Sequence, residues 1–220
     1  MLLALASGVV DAISLITLGV FTAAVTANVV LVGIAIGDAD AHTALRAGLA
    51  IAGFVVGVLG AARVLGGGEG IETRPARAPA VLGAIAAAQV VFLIVWLAAD
   101  GRPDGAALDV LTLASALAMG GQTAAARTWH AGITTTYVSG TLTLLLSELA
   151  VAGGSRSEHR RMLSVIAAVA AGATVGALLL AHAREPAALV PLLLTLIVAA
   201  GAATILRRRP DRDSLRGPAA

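Results

Sequence analysis

The sequence predicts an all-α, polytopic membrane protein with about eight transmembrane helices in two related halves. Of its 220 residues 58% are apolar and 13% are charged, whereas soluble domains contain about 25% charged residues. The charged residues lie almost entirely between apolar runs, which is the distribution that burial in a bilayer requires. A third observation, an internal repeat, predicts the two halves.

Eight apolar segments approach the roughly 20 residues that a helix needs to cross the hydrocarbon core. They are residues 2–18, 20–37, 45–65, 80–99, 107–126, 132–151, 162–183 and 187–206. Gly, Pro and charged residues, which break helices, separate most of these segments. We therefore predict one membrane domain, residues 1–206, with halves 1–99 and 107–206, and a disordered basic tail, 207–220.

The junction between the first two segments decides the number of crossings. The junction consists only of residues 18–20, so residues 2–37 form either two helices in a tight hairpin or one crossing with a broken or re-entrant piece. The matching junction of the second half, RTWHAG at 127–132, contains Arg and Trp, which are typical of the membrane interface. This favours the hairpin and eight crossings, with six as the alternative.

An internal repeat relates the two halves. Residues 19–33, GVFTAAVTANVVLVG, align with residues 132–146, GITTTYVSGTLTLLL, so a small polar patch recurs at the same depth. Two further blocks match in the same order: ALASG at 4–8 with ALAMG at 116–120, and GFVVG at 53–57 with GATVG at 172–176. The offsets of 113, 112 and 119 residues favour a duplication. Halves with four crossings each would be parallel repeats, and halves with three would be inverted repeats.

The arginines predict the orientation, because cytoplasmic loops are rich in Lys and Arg. With eight crossings, the side of the N-terminus holds ten arginines against five; with six, the count is eleven against three, with Arg127 left at depth. Both arrangements place both termini in the cytoplasm, so we expect a multi-pass protein of the bacterial inner membrane. The residues after Met1 lack the positively charged region of a secretory signal, so no cleaved peptide is expected, and a start upstream of Met1 is left open.

Several kinds of site are excluded or disfavoured. With no Cys, thiolate catalysis and Cys-based metal sites are ruled out. The four His residues are scattered without the spacing of a zinc motif, and there is no phosphate-binding loop or nucleophile motif. We expect no metal, no cofactor, no enzyme activity and no nucleic-acid partner. The expected partners are the lipid bilayer and a small solute or ion, and homo-oligomerisation is left open.

Asp11 lies near the middle of the first segment, where an ionised carboxylate costs at least about 2.5 kcal/mol. Its functional interpretation is a proton or cation site. Its structural interpretation is a satisfied group, which is protonated or caps a helix restarted after Gly8. Both interpretations stay open at this point.

Small polar residues of both repeats are candidates for a pocket between the halves. They are Thr26 and Asn28 in the second segment, Gln122 in the fifth, and Ser139, Gly140 and Thr141 in the sixth. The alternative is that they only hydrogen-bond between membrane helices, at about 0.6 to 2 kcal/mol each. That role is the expected one for Gln89.

The sixth segment contains three consecutive threonines, 134–136, followed by Tyr137. These residue types form helices less readily than Ala. We therefore predict an extended chain before Gly140 and a helix after it. A half-helix N-terminus at membrane depth would attract an anion or a carboxylate.

Residues 8–36 and 118–145 resemble the YoaK-like family of bacterial membrane proteins, whose shared domain has no known function. The resemblance rests on Gly then Asp in the first segment, a Phe-led Thr-Gly-Asn in the second, Met-Gly-x-Gln-Asn in the fifth and Thr-Thr-x-x-Thr-Gly-Thr in the sixth. This chain has Ala27 where the family usually has Gly, Thr123 where it has Asn, and Ser139 where it has Thr. The resemblance implies a multi-pass inner-membrane protein and no particular substrate.

Together these observations favour a small-solute or ion transporter with a polar pocket between duplicated halves and Asp11 as the coupling carboxylate. The alternative is a non-transporting membrane scaffold or partner subunit, in which the polar residues only stabilise helix packing. An intramembrane enzyme that acts on a lipid-like substrate is the least favoured interpretation.

Overall fold

The computed structural model describes residues 1–66, 77–129, 138–151 and 153–207. These residues form eight α-helices and no strand, which confirms the all-α prediction. The helices are α1 (Leu2–Leu18), α2 (Val25–Gly37), α3 (Ala41–Leu65), α4 (Ala78–Ala98), α5 (Gly105–Trp129), α6 (Val138–Ala150), α7 (Arg156–His182) and α8 (Leu189–Arg207). A short 3-10 helix, Glu185–Ala188, leads into α8.

Close backbone contacts show that α1 and α7 run parallel. A Cβ atom on Gly172 would clash with the carbonyl oxygen of Leu5, and one on Gly176 would lie 2.8 Å from that of Val9. The contacting positions rise together along both helices, so the helices point the same way. Glycine at these positions allows the close backbone approach that stabilises helix pairs in lipid.

The pair formed by α3 and α5 is also parallel. A Cβ atom on Gly53 would lie 3.0 Å from the Cβ of Ala116, and one on Gly57 would lie 2.9 Å from the backbone nitrogen of Gly121. Here too the positions rise together.

In contrast, α1 and α5 run antiparallel. The side-chain amide of Gln122, late in α5, donates to the carbonyl oxygen of Leu3, early in α1, at 2.9 Å. Ser115, earlier in α5, lies beside Ser14, later in α1, because both hydroxyls are hydrogen-bonded to that of Thr22. The two parallel pairs therefore point in opposite directions.

At one end of the helix bundle, here called the first end, the end of α1 contacts the α4–α5 and α7–α8 connections. Trp96 is fully buried, and its indole N–H donates to the carbonyl oxygens of Arg184 and Glu185 at 3.2 and 3.1 Å. The Arg184 guanidinium donates to the carbonyl oxygen of Gly101 at 2.6 Å and to the hydroxyl of Thr17 at 3.5 Å. The end of α1 thus meets the α4–α5 and α7–α8 connections.

The first end also contains the start of α3. Arg46 in α3 pairs with Asp109 near the start of α5, with 3.4 Å between the two charged groups. Since α1 ends at the first end and α3 begins there, α2 is re-entrant: the chain enters the bundle and returns to the end it came from. The favoured prediction of two full crossings in residues 2–37 does not fit this path, because a crossing by α2 would place the start of α3 at the opposite end.

The described part of the second half has a matching arrangement at the opposite, second end. Glu148, late in α6, lies 3.1 Å from His159 near the start of α7, and Leu145 packs with Met162. Because α6 runs back along α7, its start at Val138 lies deeper in the bundle. The helix begins two residues before the predicted start at Gly140, and Arg207, the predicted first residue of the tail, still belongs to α8. The rest of the predicted extended run, 134–137, and the tail residues 208–220 lie outside the described residues.

Helix lengths agree with this path. Among the described residues, α3, α4, α7 and the stretch Glu185–Thr204 are long and apolar enough to cross a membrane. By length alone, the 17 residues of α1 lie at the lower limit for a crossing and the 25 residues of α5 exceed it, although α5 is less apolar than those four stretches. With 13 residues each, α2 and α6 extend about 20 Å, which is short of the roughly 30 Å hydrocarbon core. The directions and lengths agree with the six-crossing alternative, and the number of crossings stays a prediction.

Candidate functional site at the re-entrant tip

The chain reverses after α1 and runs back along it. Gly19 ends α1 in the left-handed conformation, with a φ of 73°, which glycine adopts readily. Residues 20–24, here called the re-entrant tip, are not helical. The backbone N–H of Ala23 in this tip donates to an Asp11 carboxylate oxygen at 3.1 Å. Because Asp11 lies in the middle of α1, α2 begins half-way through the bundle.

Asp11 therefore lies at the N-terminal end of a half-helix. This end of a helix has a partial positive charge, which stabilises an anionic side chain. Asp11 is partly exposed, and within the described part of the chain it forms no ion pair. A carboxylate at this depth without a basic partner can bind a proton or a cation, which is the chemistry of coupling sites in membrane transporters.

Asn28 holds the re-entrant tip in place. Its Oδ1 accepts the backbone N–H of Phe21 at 3.0 Å, and its Nδ2 donates to the Phe21 carbonyl oxygen. The side chain is only 1% exposed. One amide thus satisfies both backbone groups of a non-helical residue, which in a bilayer have no water to bond. This is the packing role that was the alternative to a pocket residue.

A cluster of hydroxyl groups joins the tip to both halves. Thr22 Oγ1 is hydrogen-bonded to Ser14 Oγ of α1 at 3.1 Å and accepts from Ser115 Oγ of α5 at 3.0 Å. All three side chains are buried. The tip therefore lies at the contact between the two antiparallel helices α1 and α5.

A cavity lies beside Ser115 in the centre of the bundle. It offers about 20 Å³ to the centre of a water-sized molecule. Its lining comes from α1, α4, α5, the 3-10 helix and the start of α8: Val10, Ile13, Gln89, Phe92, Ser115, Ala118, Met119, Ala188 and Pro191. Within the described residues, neither amide atom of Gln89 has a hydrogen-bond partner, although the residue is only 6% exposed. No lining side chain is ionisable.

Sequence reasoning did not find this cavity. It assigned Gln89 to helix packing and did not single out Ser115. The available signal was a polar residue within each of two apolar segments, at Gln89 and Ser115. These two residues come together because of how α4 and α5 pack around α1. Hydropathy along the chain does not predict that packing.

Gln122, another predicted pocket residue, lies away from the re-entrant tip. It is fully buried, and its amide nitrogen donates to the carbonyl oxygen of Leu3. Leu3 is eight positions before Asp11, which is about 12 Å along a helix. Gln122 therefore links the early part of α1 to α5.

The remaining predicted residues differ in exposure. Thr26 and Ser139 are exposed, Gly140 is partly exposed, and Thr141 is 6% exposed. Asp11 and Asn28 thus meet at one tip, whereas Thr26 and Ser139 do not face a common pocket with them.

Comparison with known proteins supports a membrane protein. The chain is 33% identical over 150 residues to the UPF0700 transmembrane protein YoaK of Bacillus subtilis (strain 168). The match covers 67% of this chain and 64%, just under two thirds, of that relative. No solved structure matches the chain. The family described as "Protein of unknown function (DUF1275)" matches residues 1–201, and the chain therefore belongs to this family of transmembrane proteins, as its resemblance to YoaK-like proteins predicted.

Proposed function

We propose that the protein transports a small solute or an ion through six membrane crossings arranged in two inverted halves. The observation behind this proposal is that α2 begins half-way through the bundle, beside Asp11. Non-helical backbone occurs at such depth only where it is buried in protein or lines a water-filled path. Transporters with inverted repeats bind their substrates and coupling ions at breaks of this kind.

Matching element positions support a duplication. The two short helices each have 13 residues and start 113 positions apart, at Val25 and Val138. The helices α3 and α7 start 115 positions apart, at Ala41 and Arg156.

The glycine contacts support the same duplication. Gly57 meets Leu117, and Gly172 meets Leu5, so the equivalent glycines are also 115 positions apart. This register differs by about one helical turn from the predicted alignment of GFVVG with GATVG, and it makes the offsets more nearly constant.

The opposite directions of α1 and α5 favour inverted halves. If α1 and α5 are equivalent helices, their antiparallel packing relates the halves by a two-fold axis in the membrane plane. The re-entrant α2 and α6 then enter from opposite faces of the membrane. Such an arrangement permits a central site to open to either side in turn.

Arginine positions favour cytoplasmic termini in the inner membrane. In a six-crossing arrangement, the order of the sequence assigns twelve of the fifteen arginines to the side of the second end, and Arg46, Arg102 and Arg184 to the side of the first. Arg127 lies in the last turn of α5, at the second end rather than at depth. Because arginine-rich ends face the cytoplasm, the second end, with both termini, is the cytoplasmic one.

Uptake into proteoliposomes tests the transport proposal. We expect the wild-type protein to carry at least one member of a broad panel of ions and small solutes. Asp11→Asn, which keeps the shape and an acceptor for Ala23, is expected to lower that uptake about tenfold or more, with little change in melting temperature. Asp104→Asn, in an exposed loop, is the matched control. Uptake that is absent in the wild type, or unchanged in Asp11→Asn, contradicts the proposal.

A non-transporting scaffold or partner subunit is the second candidate. It is favoured by Asn28, whose amide oxygen and nitrogen both bond to the backbone of Phe21, and by the exposure of Thr26 and Ser139. Recovery of a stoichiometric partner after mild solubilisation, together with no solute uptake, would support it. For either candidate we expect no enzyme activity.

A further inference from the structure

We infer that the cavity between α1, α4, α5 and α8 binds a small uncharged molecule that both donates and accepts hydrogen bonds, and that Gln89 recognises it. This inference rests on the proposed transport function and names its substrate class. The molecules that fit are water and neutral solutes of similar size, such as ammonia.

The amide of Gln89 has the unused hydrogen-bonding capacity that such a ligand needs. A primary amide has two N–H donors and an oxygen acceptor, and in Gln89 neither atom has a partner among the described residues. A buried amide without partners is unfavourable. Gln122 provides a comparison, because its nitrogen is bonded to the carbonyl oxygen of Leu3, and only its amide oxygen has no partner among the described residues. Of these two buried glutamines, only Gln89 lines the cavity.

Charge and size restrict the ligand further. The lining contains no ionisable side chain, so an ion would lose its hydration without a compensating charge. The cavity offers about 20 Å³ to the centre of a water-sized molecule, and a cavity can hold a water once the volume swept by such a probe reaches about 10 to 15 Å³. The space therefore admits a molecule of the size of water.

Ser115 connects this cavity to the re-entrant tip. It lines the cavity and also donates to the hydroxyl of Thr22 in the tip. A ligand that bonds to the Ser115 oxygen would thus influence the contact that holds the tip against α5. The cavity also lies where α1 and α4 of the first half meet α5 and α8 of the second, which is where movement between halves would expose it.

Binding is tested with the full-length protein in nanodiscs containing isotope-labelled glutamine. We expect the side-chain amide protons of Gln89, assigned by their loss in Gln89→Leu, to show magnetisation transfer with an exchanging water. Added ammonia is expected to shift the same resonances, and the Gln122 amide serves as the internal control. A Gln89 amide that responds to neither molecule overturns the inference.

Flux is tested separately in proteoliposomes, by osmotic shrinkage for water and by internal pH for ammonia. We expect Gln89→Leu to lower the permeability for the bound molecule about tenfold or more, without a lower melting temperature, because Leu removes an unpaired amide. Val90→Ala, on the exposed side of α4, is the matched control. Binding at Gln89 without any flux supports the site and contradicts the transport proposal. Flux of another solute that is unchanged in Gln89→Leu supports transport and overturns this site.

Discussion

The α1–α7 and α3–α5 pairs share a backbone architecture but differ in their chemistry. In each pair a glycine lies against a backbone carbonyl, Gly172 against Leu5 and Gly57 against Leu117. The predicted alignment of the halves, however, sets Asp11 in α1 against Thr123 in α5. The close packing occurs twice, whereas the carboxylate occurs once. A residue that acts through packing should therefore have a counterpart with a similar effect, and a residue that acts through charge should not.

The largest effects are expected where both pairs depend on glycine. In Gly172→Ala and Gly57→Ala the new Cβ meets a backbone carbonyl oxygen, which cannot move without displacing a helix. Each substitution is expected to lower the free energy of unfolding by about 3 kcal/mol. Unfolding in mixed detergent micelles measures it.

Gly60→Ala is the control for this experiment, because a Cβ atom there meets nothing within 4 Å. It should leave the free energy of unfolding unchanged or raise it by up to about 1 kcal/mol, because Ala favours a helix interior more than Gly does. If Gly57→Ala and Gly172→Ala differed widely, the two pairs would not be equivalent, and the duplicated-halves proposal would lose its main packing support.

The next largest effect concerns Asn28, whose side chain holds the re-entrant tip in place. Asn28→Leu leaves the N–H and C=O of Phe21 without their partner, which is expected to cost about 2 kcal/mol. In the second half, Thr141→Val is expected to cost about 1 kcal/mol, since a hydroxyl makes fewer hydrogen bonds than an amide. Thermal unfolding in detergent measures both.

Thr26→Val is the control on the same helix, because Thr26 is exposed, and it should be close to neutral. A large loss for Thr26→Val with none for Asn28→Leu would show that the tip is held differently.

The fold was predictable wherever composition changes along the chain. The bounds of α1 agree with the prediction at both ends, because Gly19 is a strong helix stop and the segment before it is mostly apolar. The re-entrant path was not predictable in the same way. Residues 20–24, VFTAA, are as apolar as a crossing helix. Hydropathy predicts that a segment is buried, but it does not show whether the chain continues across the membrane or turns back.

The site was predictable only in part, for a related reason. Asp11 could be identified because a carboxylate within an apolar segment stands out. Asn28 could also be identified, but its role depends on Phe21, an apolar residue whose backbone needs a partner only because it is not helical. The cavity at Gln89 depends on four helices that meet from both halves, and no single segment contains that information.

A smaller effect is expected where the halves touch through hydroxyl groups. Ser14→Ala and Ser115→Ala each remove one hydrogen bond of Thr22 and are expected to cost about 1 kcal/mol each. Because the two bonds share one hydroxyl, the double substitution should depart from additivity by about 0.5 kcal/mol or more. Unfolding in detergent measures the three stability losses. If the two single losses simply added up in the double variant, the contact of the tip with α1 would be independent of its contact with α5.

The smallest effect concerns how α3 and α7 begin. Asp40 caps α3 by accepting the N–H groups of His42 and Thr43 at 3.1 Å each, whereas Ser155 caps α7 by accepting that of Glu158 at 3.2 Å. Hydrogen bonds to Asp40, chiefly from the Thr43 side chain, hold the pKa of its carboxyl below its usual value. Its stabilising contribution is therefore fully present above about pH 4 and is lost as the pH falls through the lowered pKa of the folded state.

The melting temperature of the wild type should accordingly exceed that of Asp40→Ala at neutral pH, and the difference should shrink in acid. Asp40→Ser provides the control, because a serine cap does not titrate in this range, so its small advantage over Asp40→Ala should persist as the pH falls. If the wild type kept its higher melting temperature in acid as well, the charge of Asp40 would not contribute to the cap. The caps of α3 and α7 would then both act through neutral hydrogen bonds.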